Sequence, residues 1–384
     1  MNLKKYKFNE KNSFKINEFK TNDKGEFKSR EDAVEEFVAN LKKINELQQK
    51  LYAERKESVI FIFQAMDAAG KDGCIRTVFS TLSPHGVKEF CFKAPSTEEL
   101  SHDYLWRFWS AMPAKGNISI FNRSYYEDVL VGKVHKLYEN QLIPDRLKGI
   151  DVIQKRYREI NEFEKYLYNN GTRIVKIFLN VSKDEQAKRF ISRIDTPRKN
   201  WKVSENDIKE REYWDEYQEA FETMINRTSS KRSPWYVVPA DHKWYARLVV
   251  SRIVIETLEE INPQFPVISN DDMEKIYSYK ETLENSISTK KDKKEKNNEE
   301  KDGKKEKVEE NTKKDKKNKK KNKKKGKKIK VKKTKEENAE NNIEENVFFD
   351  TSDIITDAYV EEEKQKIEEK KEENIEEKKE DSAE

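Results

Sequence analysis

Three stretches of the chain carry residues suited to handling phosphate. The first reads Phe63-Gln64-Ala65-Met66-Asp67-Ala68-Ala69-Gly70-Lys71-Asp72-Gly73. It lies between an apolar run and a helical pattern, where successive backbone N–H groups and a helix N-terminus can face an anion. Gly70 permits close backbone approach and Lys71 supplies charge. The match to the spacing G-x-x-x-x-G-K-[ST] is incomplete: Ala65 stands for the first Gly, and Asp72 for the hydroxyl residue that would hold a metal. Asp67 places a carboxylate inside the loop. An acid beside bound phosphate is repelled unless a cation lies between them. Asp67 therefore reads as a metal ligand or proton acceptor rather than a phosphate contact. A loop of small residues built only for tight packing accounts poorly for Gly-Lys-Asp-Gly.

The second stretch, Asn122-Arg123-Ser124-Tyr125-Tyr126-Glu127-Asp128, leaves another apolar run. Acids at such a strand end hold the metal in phosphate-loop enzymes. Here Asn122 ends the run, and the acids follow at Glu127 and Asp128. Arg123 supplies a fixed cation that could stabilise charge on a transferring phosphoryl group; paired with Glu127 it would be ordinary structure. The third stretch holds Lys188, Arg189, Arg193, Arg198, Lys199 and Lys202, with Arg189 and Arg193 four apart on one helix face. A lid that clamps phosphates and expels water has this composition, as does a groove for single-stranded nucleic acid. A solvated face neutralised by the acids from Glu205 to Glu216 is the plain structural alternative.

The elements that would position these stretches follow from periodicity. Residues 1–28 are polar with a Phe or Tyr every few positions, which suggests an arm lying on the domain. From Ser29, apolar residues from Val34 to Leu51 recur at helical spacing. Strands are expected at Ser58–Phe63, Val87–Phe92, Asn117–Phe121, Arg173–Val181 and Trp235–Val238. Helices are expected at Cys74–Leu82, Thr97–Met112, Asp145–Asn169 with Gly171 capping it, after Ser182, and at Lys243–Ile261. Ser182 and Glu185 have the spacing of a capping box. Trp106 and Trp109, three apart on a helix, read as core. The alternation points to an α/β fold, a parallel sheet with helices on both faces. Ligands in such sheets sit beyond the carboxyl ends of the strands, where all three stretches fall.

Composition bounds the rest. Of 384 residues, 40% are charged and 34% hydrophobic, against ~25% charged and ~45–50% apolar in ordinary domains. The excess is local: residues 290–384 hold 31 Lys and 29 acids, while all six Trp, all nine Pro and both Cys lie before them. The segment is expected to be a disordered tail, Lys-rich with net +13 over 290–340 and acidic with net −11 over 341–384. The catalytic domain is expected at 29–289. The longest apolar run, Val59–Phe63, is far short of the ~20 residues a membrane helix needs, and no apolar stretch follows the N-terminal lysines as in a signal peptide. Cys74 and Cys91 form no disulfide framework and suit a cytoplasmic protein. The four His and two Cys show no metal-ligand spacing.

Taken in order, QAMDAAGKDG, KAPSTEELSHDYLWR (Lys93–Arg107), FNRSYYEDVLV (Phe121–Val131), SRIDTPRKNWK (Ser192–Lys202) and SPWYVVPADHKWYARLVVSRI (Ser233–Ile253) closely resemble the family-2 polyphosphate kinases. The resemblance spans roughly Arg30 to Asn262. It implies a P-loop NTPase-like, thymidylate-kinase-like fold with a helical lid. The implied reaction moves a terminal phosphoryl group between inorganic polyphosphate and a nucleotide, with Mg²⁺ or Mn²⁺. By motif matching, Asp67, Lys71 and Arg123 fall at the reaction centre, and Arg189, Arg193 and Lys202 in the lid. The expected phosphate and polyphosphate contacts are Ala69, Gly70, Lys71, Asp72, Gly73, Arg76, Lys93, Arg189, Arg193, Lys199 and Lys202. Those expected for the nucleotide are Asn122, Arg123, Tyr126 and Glu127; for metal, Asp67 with Asn122 and Asp128. The pattern N-R-S-Y-Y-E-D is similar to the subgroup that accepts nucleoside monophosphates or both mono- and diphosphates. AMP and ADP are thus the expected acceptors, with GMP and GDP next. The resemblance also implies a dimer or tetramer.

Two alternatives remain at this level: an ATP-dependent nucleoside monophosphate kinase, which Asp67 and the missing hydroxyl after Lys71 argue against, and a nucleic-acid-binding protein acting through its basic tail. The tail as an electrostatic tether makes its own prediction. Deleting residues 290–384 should raise the apparent KM for long polyphosphate more than for short; an unchanged KM at low salt would remove the tether.

Overall fold

A computed structural model of the chain describes residues 2–148 and 151–287; the expected tail lies outside the described residues. In chain order the elements are β1 (Lys7–Phe8), α1 (Val34–Glu54), β2 (Ser58–Gln64), α2 (Lys71–Val78), β3 (Val87–Cys91), α3 (Thr97–Ser101), α4 (Trp106–Trp109), β4 (Ile118–Asn122), α5 (Val131–Val134), α6 (Asp151–Asn169), β5 (Thr172–Asn180), α7 (Lys183–Ile194), α8 (Glu205–Lys209), α9 (Trp214–Thr228), β6 (Trp235–Pro239) and α10 (Lys243–Ile261). The chain divides into two units: the described part of the first runs to Phe265, and that of the second covers residues 266–287. In the second, residues 270–287 are helical and largely exposed. The sheet lies in the first unit.

The strand order is β1-β6-β5-β2-β4-β3, all parallel except β1. β2, β4 and β6 are buried along their whole length. A parallel strand covered on both faces reads as a continuous apolar run, and Val59–Phe63 is one. α1 and α2 pack on α10, and α6 packs on α9 and on the 3₁₀ segment Tyr125–Val129. β3 is an edge strand with Lys88 and Glu89 exposed, the usual guard against stray pairing. The other edge is covered by the arm, whose Lys7 and Phe8 pair antiparallel with Tyr236 and Trp235. This sixth strand had no signature beyond the spaced aromatics, of which Tyr6 and Phe14 are buried.

Four expectations change. The helix of the phosphate loop begins at Lys71, not Cys74, so Lys71, Asp72 and Gly73 form its first turn. The segment Thr97–Met112 is two short helices. Extended His102 ends the first, and the Asp103 carboxylate accepts the Leu105 N–H at 2.9 Å, a local bond that competes with a continuous helix. Phe108 takes the core position there, while Trp106 and Trp109 are 40% and 48% exposed, Trp106 stacked on His102. The chain is extended at Lys148, so the expected helix start at Asp145 is instead a separate 3₁₀ turn. Finally, the capping box at Ser182 is half formed: its hydroxyl accepts from Glu185 N, but its own N–H goes to Asp241 Oδ1 at 2.8 Å. Gly171 does cap α6, with φ +75° and its N–H on Tyr168 O.

One buried polar network holds the segment that follows Arg123. Glu164 of α6 accepts from Lys176 Nζ at 2.7 Å, Ser233 Oγ at 2.7 Å, Tyr126 OH at 2.7 Å and Tyr125 OH at 2.9 Å. Lys176, fully buried in β5, also donates to Thr228 O at 2.6 Å. Removing one partner of such a pair strands the other's charge, at a cost of about 3–5 kcal/mol. Lys176→Met should therefore lose stability of that order in denaturant unfolding. Adding Glu164→Gln should recover part of it; a neutral single substitution would contradict the pairing.

Candidate active site

Parallel pairing sets Phe63 of β2 level with Asn122 of β4, so the loops that follow leave the sheet side by side. Arg123 N–H donates to Phe63 O at 3.0 Å. Arg123 adopts φ +66° and Ala68 φ +61°, left-handed conformations that are costly for residues with a Cβ and concentrate at functional sites. Gly70, at φ +108°, is the N-cap of α2. With this geometry Arg123 Nη2 meets Asp67 Oδ1 at 2.7 Å, and Nη1 lies 3.8 Å from Glu127 Oε2. Lys71 folds back on the loop, donating to Ala65 O at 2.9 Å. Burial, and then the Arg123 charge, push the Lys71 ammonium below its usual range.

Asn122 bridges two acids: its Nδ2 donates to Asp72 Oδ1 at 3.0 Å and Glu89 Oε1 at 3.1 Å. Burial opposes ionisation of Asp72, but this bond and the Lys71, Lys202 and Arg193 charges hold its carboxyl below the usual range. Beyond α7, the 3₁₀ segment Pro197–Lys202 and α8 form the other wall. Arg193 Nη1 is 4.0 Å from Asp207 Oδ2, and Lys202 Nζ sits over the exposed Trp201 ring.

These loops enclose a cavity of about 700 Å³ lined by ten basic and four acidic side chains, an excess that suits a polyanion. Asp67, Ala69–Gly73, Arg76, Asn122, Arg123, Arg189, Arg193, Lys199 and Lys202 all line it. Four expected residues do not. Lys93 is exposed beyond the edge strand. Tyr126 is fully buried on Glu164 and Lys176. Glu127 pairs with Arg123 at 3.8 Å without lining the cavity itself. Asp128 faces the other way, with Arg156 Nη1 at 2.6 Å and Gln141 Nε2 at 3.3 Å; this engagement leaves it apart from Asp67 and Asn122 rather than in one metal cluster. The sequence reading also left out Ser192, Trp201, Asp207, Lys243 and Arg247. Lys243 and Arg247 are four apart at the start of α10, directly after β6, so the strand-end rule applied to the last strand would have found them.

Comparison with known proteins fits this geometry. The profile of the family "Polyphosphate kinase 2 (PPK2)" matches residues 27–266. The chain belongs to the polyphosphate kinase 2 family. Among its relatives, the ADP-polyphosphate phosphotransferase of Rhodopseudomonas palustris is 49% identical over 242 residues, 62% of this chain and 84% of that protein. The AMP/ADP-polyphosphate phosphotransferase of Meiothermus ruber is 44% identical over 265 residues, 69% of this chain and 96% of that protein. The crystal structure of polyphosphate kinase 2 from Arthrobacter aurescens superposes with a TM-score of 0.64 at 38% identity, covering 70% of this chain and 93% of that one. The family makes this chain a kinase-type transferase working between polyphosphate and nucleotides.

Such transfer calls for a divalent metal. Among the described residues no three acids, His or Cys form a ready-made cage. A metal that keeps its waters and binds through one or two carboxylates plus substrate phosphates needs none, and Asp67 and Asp207 present carboxylates to the cavity. Burial and the Asp67 charge raise the Asp207 carboxyl above its usual range, a repulsion that a cation would relieve.

Glu127 supplies a pH test. Burial lifts its carboxyl above the usual range, Arg123 and Lys71 pull it back, and Asp67 lifts it further. The folded state therefore holds this proton more readily than the unfolded one. Its contribution to stability falls as pH rises from about 4.3, the ordinary Glu value, through the raised value. The difference in Tm between Glu127→Gln and wild type should shift in the variant's favour across that window. A shift toward wild type would contradict the burial argument.

Proposed function

We propose that this chain moves the terminal phosphoryl group between inorganic polyphosphate and nucleoside mono- and diphosphates, AMP and ADP foremost and GMP and GDP next, with Mg²⁺ or, in its place, Mn²⁺. The observation that carries the reading is the Arg123–Asp67 pair set beside Lys71 in a cavity rimmed by cations. The two relatives named for ADP and for AMP/ADP support both acceptors, as does the Asn122–Asp128 pattern. We place the enzyme in the cytoplasm, on its two free cysteines, and expect a dimer or tetramer. Among the described residues no helix is long and apolar enough to cross a membrane.

Phosphoryl transfer asks little covalent chemistry of the protein; positioning and electrostatics dominate. The first turn of α2 offers unsatisfied N–H groups to a phosphate. Lys71 exchanges its loop carbonyls for a phosphate oxygen. Arg123, held at its backbone by Phe63 O, covers the transferring group, where fixed donors in a shielded site gain most. Arg193, Lys199 and Lys202 on one wall, and Arg76, Lys243 and Arg247 on the other, line a path for a linear polyanion. Asp67, with Asp207, would hold the metal, which when bound neutralises charge on the phosphate oxygens.

Lys71→Ala and Asp67→Asn should each lower polyphosphate-dependent phosphorylation of AMP and ADP by about 10²–10³-fold or more, with Tm little changed. The assay uses purified protein with polyphosphate or ATP as sole donor and AMP, ADP, GMP and GDP as acceptors. Full activity in either variant would sink the assignment, and AMP phosphorylation from ATP alone would return the reading to a monophosphate kinase.

A further inference from the structure

The resemblance places Arg189 among the phosphate contacts, and it does line the cavity. Its guanidinium, however, is 7% exposed and already occupied. Nε donates to Glu185 Oε1 at 2.8 Å. Nη1 donates to Ala69 O at 2.6 Å and Ala68 O at 3.2 Å. Nη2 donates to Ala240 O at 2.6 Å and Asp241 O at 3.0 Å. A guanidinium has five N–H donors, and these contacts use all five. We propose that Arg189 is a positioning residue that braces the phosphate loop against the lid helix and the end of β6, and that it does not bind substrate phosphate.

The brace acts on the groups that matter for anion binding. Gln186, on the same face of α7, donates to Asp67 O at 2.8 Å. Two side chains of one helix thus hold three successive loop carbonyls, at Asp67, Ala68 and Ala69. In a trans peptide the next N–H points opposite to the carbonyl, so the same bonds fix the N–H directions of Ala68, Ala69 and Gly70. The middle residue is Ala68, whose positive φ needs outside support. The anchor on the far side is itself tied down. Asp241 exchanges bonds with Thr21 of the arm, Thr21 Oγ1 to Oδ2 at 2.7 Å and Asp241 N to Thr21 O at 3.0 Å, and its Oδ1 accepts the N–H of Ser182, the N-cap of α7. Arg193, one turn on, faces Asp207 across 4.0 Å and remains the phosphate contact of the pair.

The kinetic signature separates the two roles, because lost positioning lowers kcat while a lost phosphate contact raises KM and weakens its salt dependence. The assay takes from the proposed function only that the cavity transfers phosphate. An inactive wild type would count against that reading, and an active wild type with unaffected variants against this one. Steady-state rates would be measured on the full chain with Mg²⁺, ADP and polyphosphate of defined length, over a range of salt, for Arg189→Lys, Gln186→Met and Arg193→Ala. Arg189→Lys keeps the charge but not the fork, and should lower kcat about 10–100-fold, with KM for polyphosphate within about twofold. Gln186→Met changes no charge and should show the same split, several-fold in kcat. Arg193→Ala should raise KM and flatten its salt dependence. Circular dichroism at the assay temperature establishes that each variant is folded; should Arg189→Lys not fold, Gln186→Met carries the test. Arg189→Lys with wild-type kcat and raised KM, or Gln186→Met kinetically like wild type, would overturn the brace.

Discussion

The level pairing of Phe63 with Asn122 is the constraint on which the site depends. Both strands are buried on two faces, so neither can slip without exposing its apolar residues. Their carboxyl ends are therefore fixed together, and the Arg123 N–H on Phe63 O joins the loops where they leave the sheet. From that point the left-handed turn at Arg123 and the loop acid Asp67 converge on a contact of 2.7 Å. The site is thus assembled by core packing rather than by the attraction of its charges. The buried Glu164–Lys176 network serves the same end from below by holding Tyr125 and Tyr126.

Charge is arranged in two layers around that contact. Close in, the two cations Lys71 and Arg123 stand among three acids, Asp67, Asp72 and Glu127. Further out the cations prevail, along the lid on one side and along Arg76, Lys243 and Arg247 on the other. A compact nucleotide pocket would need only the inner layer. The outer one fits a long polyanion whose charge is spread along its length, and we propose on that basis a division of labour, with reaction inside and grip outside. The 40% charge content of the chain has little to do with either layer, since its excess lies in residues 290–384.

Much of this was legible in the sequence. The strands announced themselves as apolar runs, and the phosphate loop, Asn122-Arg123 and the lid cations were readable from residue type and strand-end position. What escaped has physical causes. Lys176 sits in a strand of apolar residues, and nothing local shows that Glu164, twelve positions earlier, neutralises it. Tyr126 and Asp128 lie in a recognised motif, but a 3₁₀ turn sends alternate side chains to different partners, so motif membership did not fix their direction. Arg189 and Arg193 share a helix face by spacing. Which of them is buried depends on carbonyls at Ala68 and Ala240, far away in the chain. The break at His102 came from a side chain–backbone bond that helical periodicity does not register.

We propose that phosphate passes from polyphosphate to nucleotide at the Arg123–Asp67 contact. The most direct measurement follows label from ³²P-polyphosphate into ADP with wild type and with Arg123→Lys, in which the ammonium keeps the charge and loses the fork. The account predicts labelled ATP from wild type and a loss of rate of about 10²-fold or more in the variant, with the variant still folded. Transfer of label at the wild-type rate by Arg123→Lys, or no label in ATP from the wild-type protein, would contradict it.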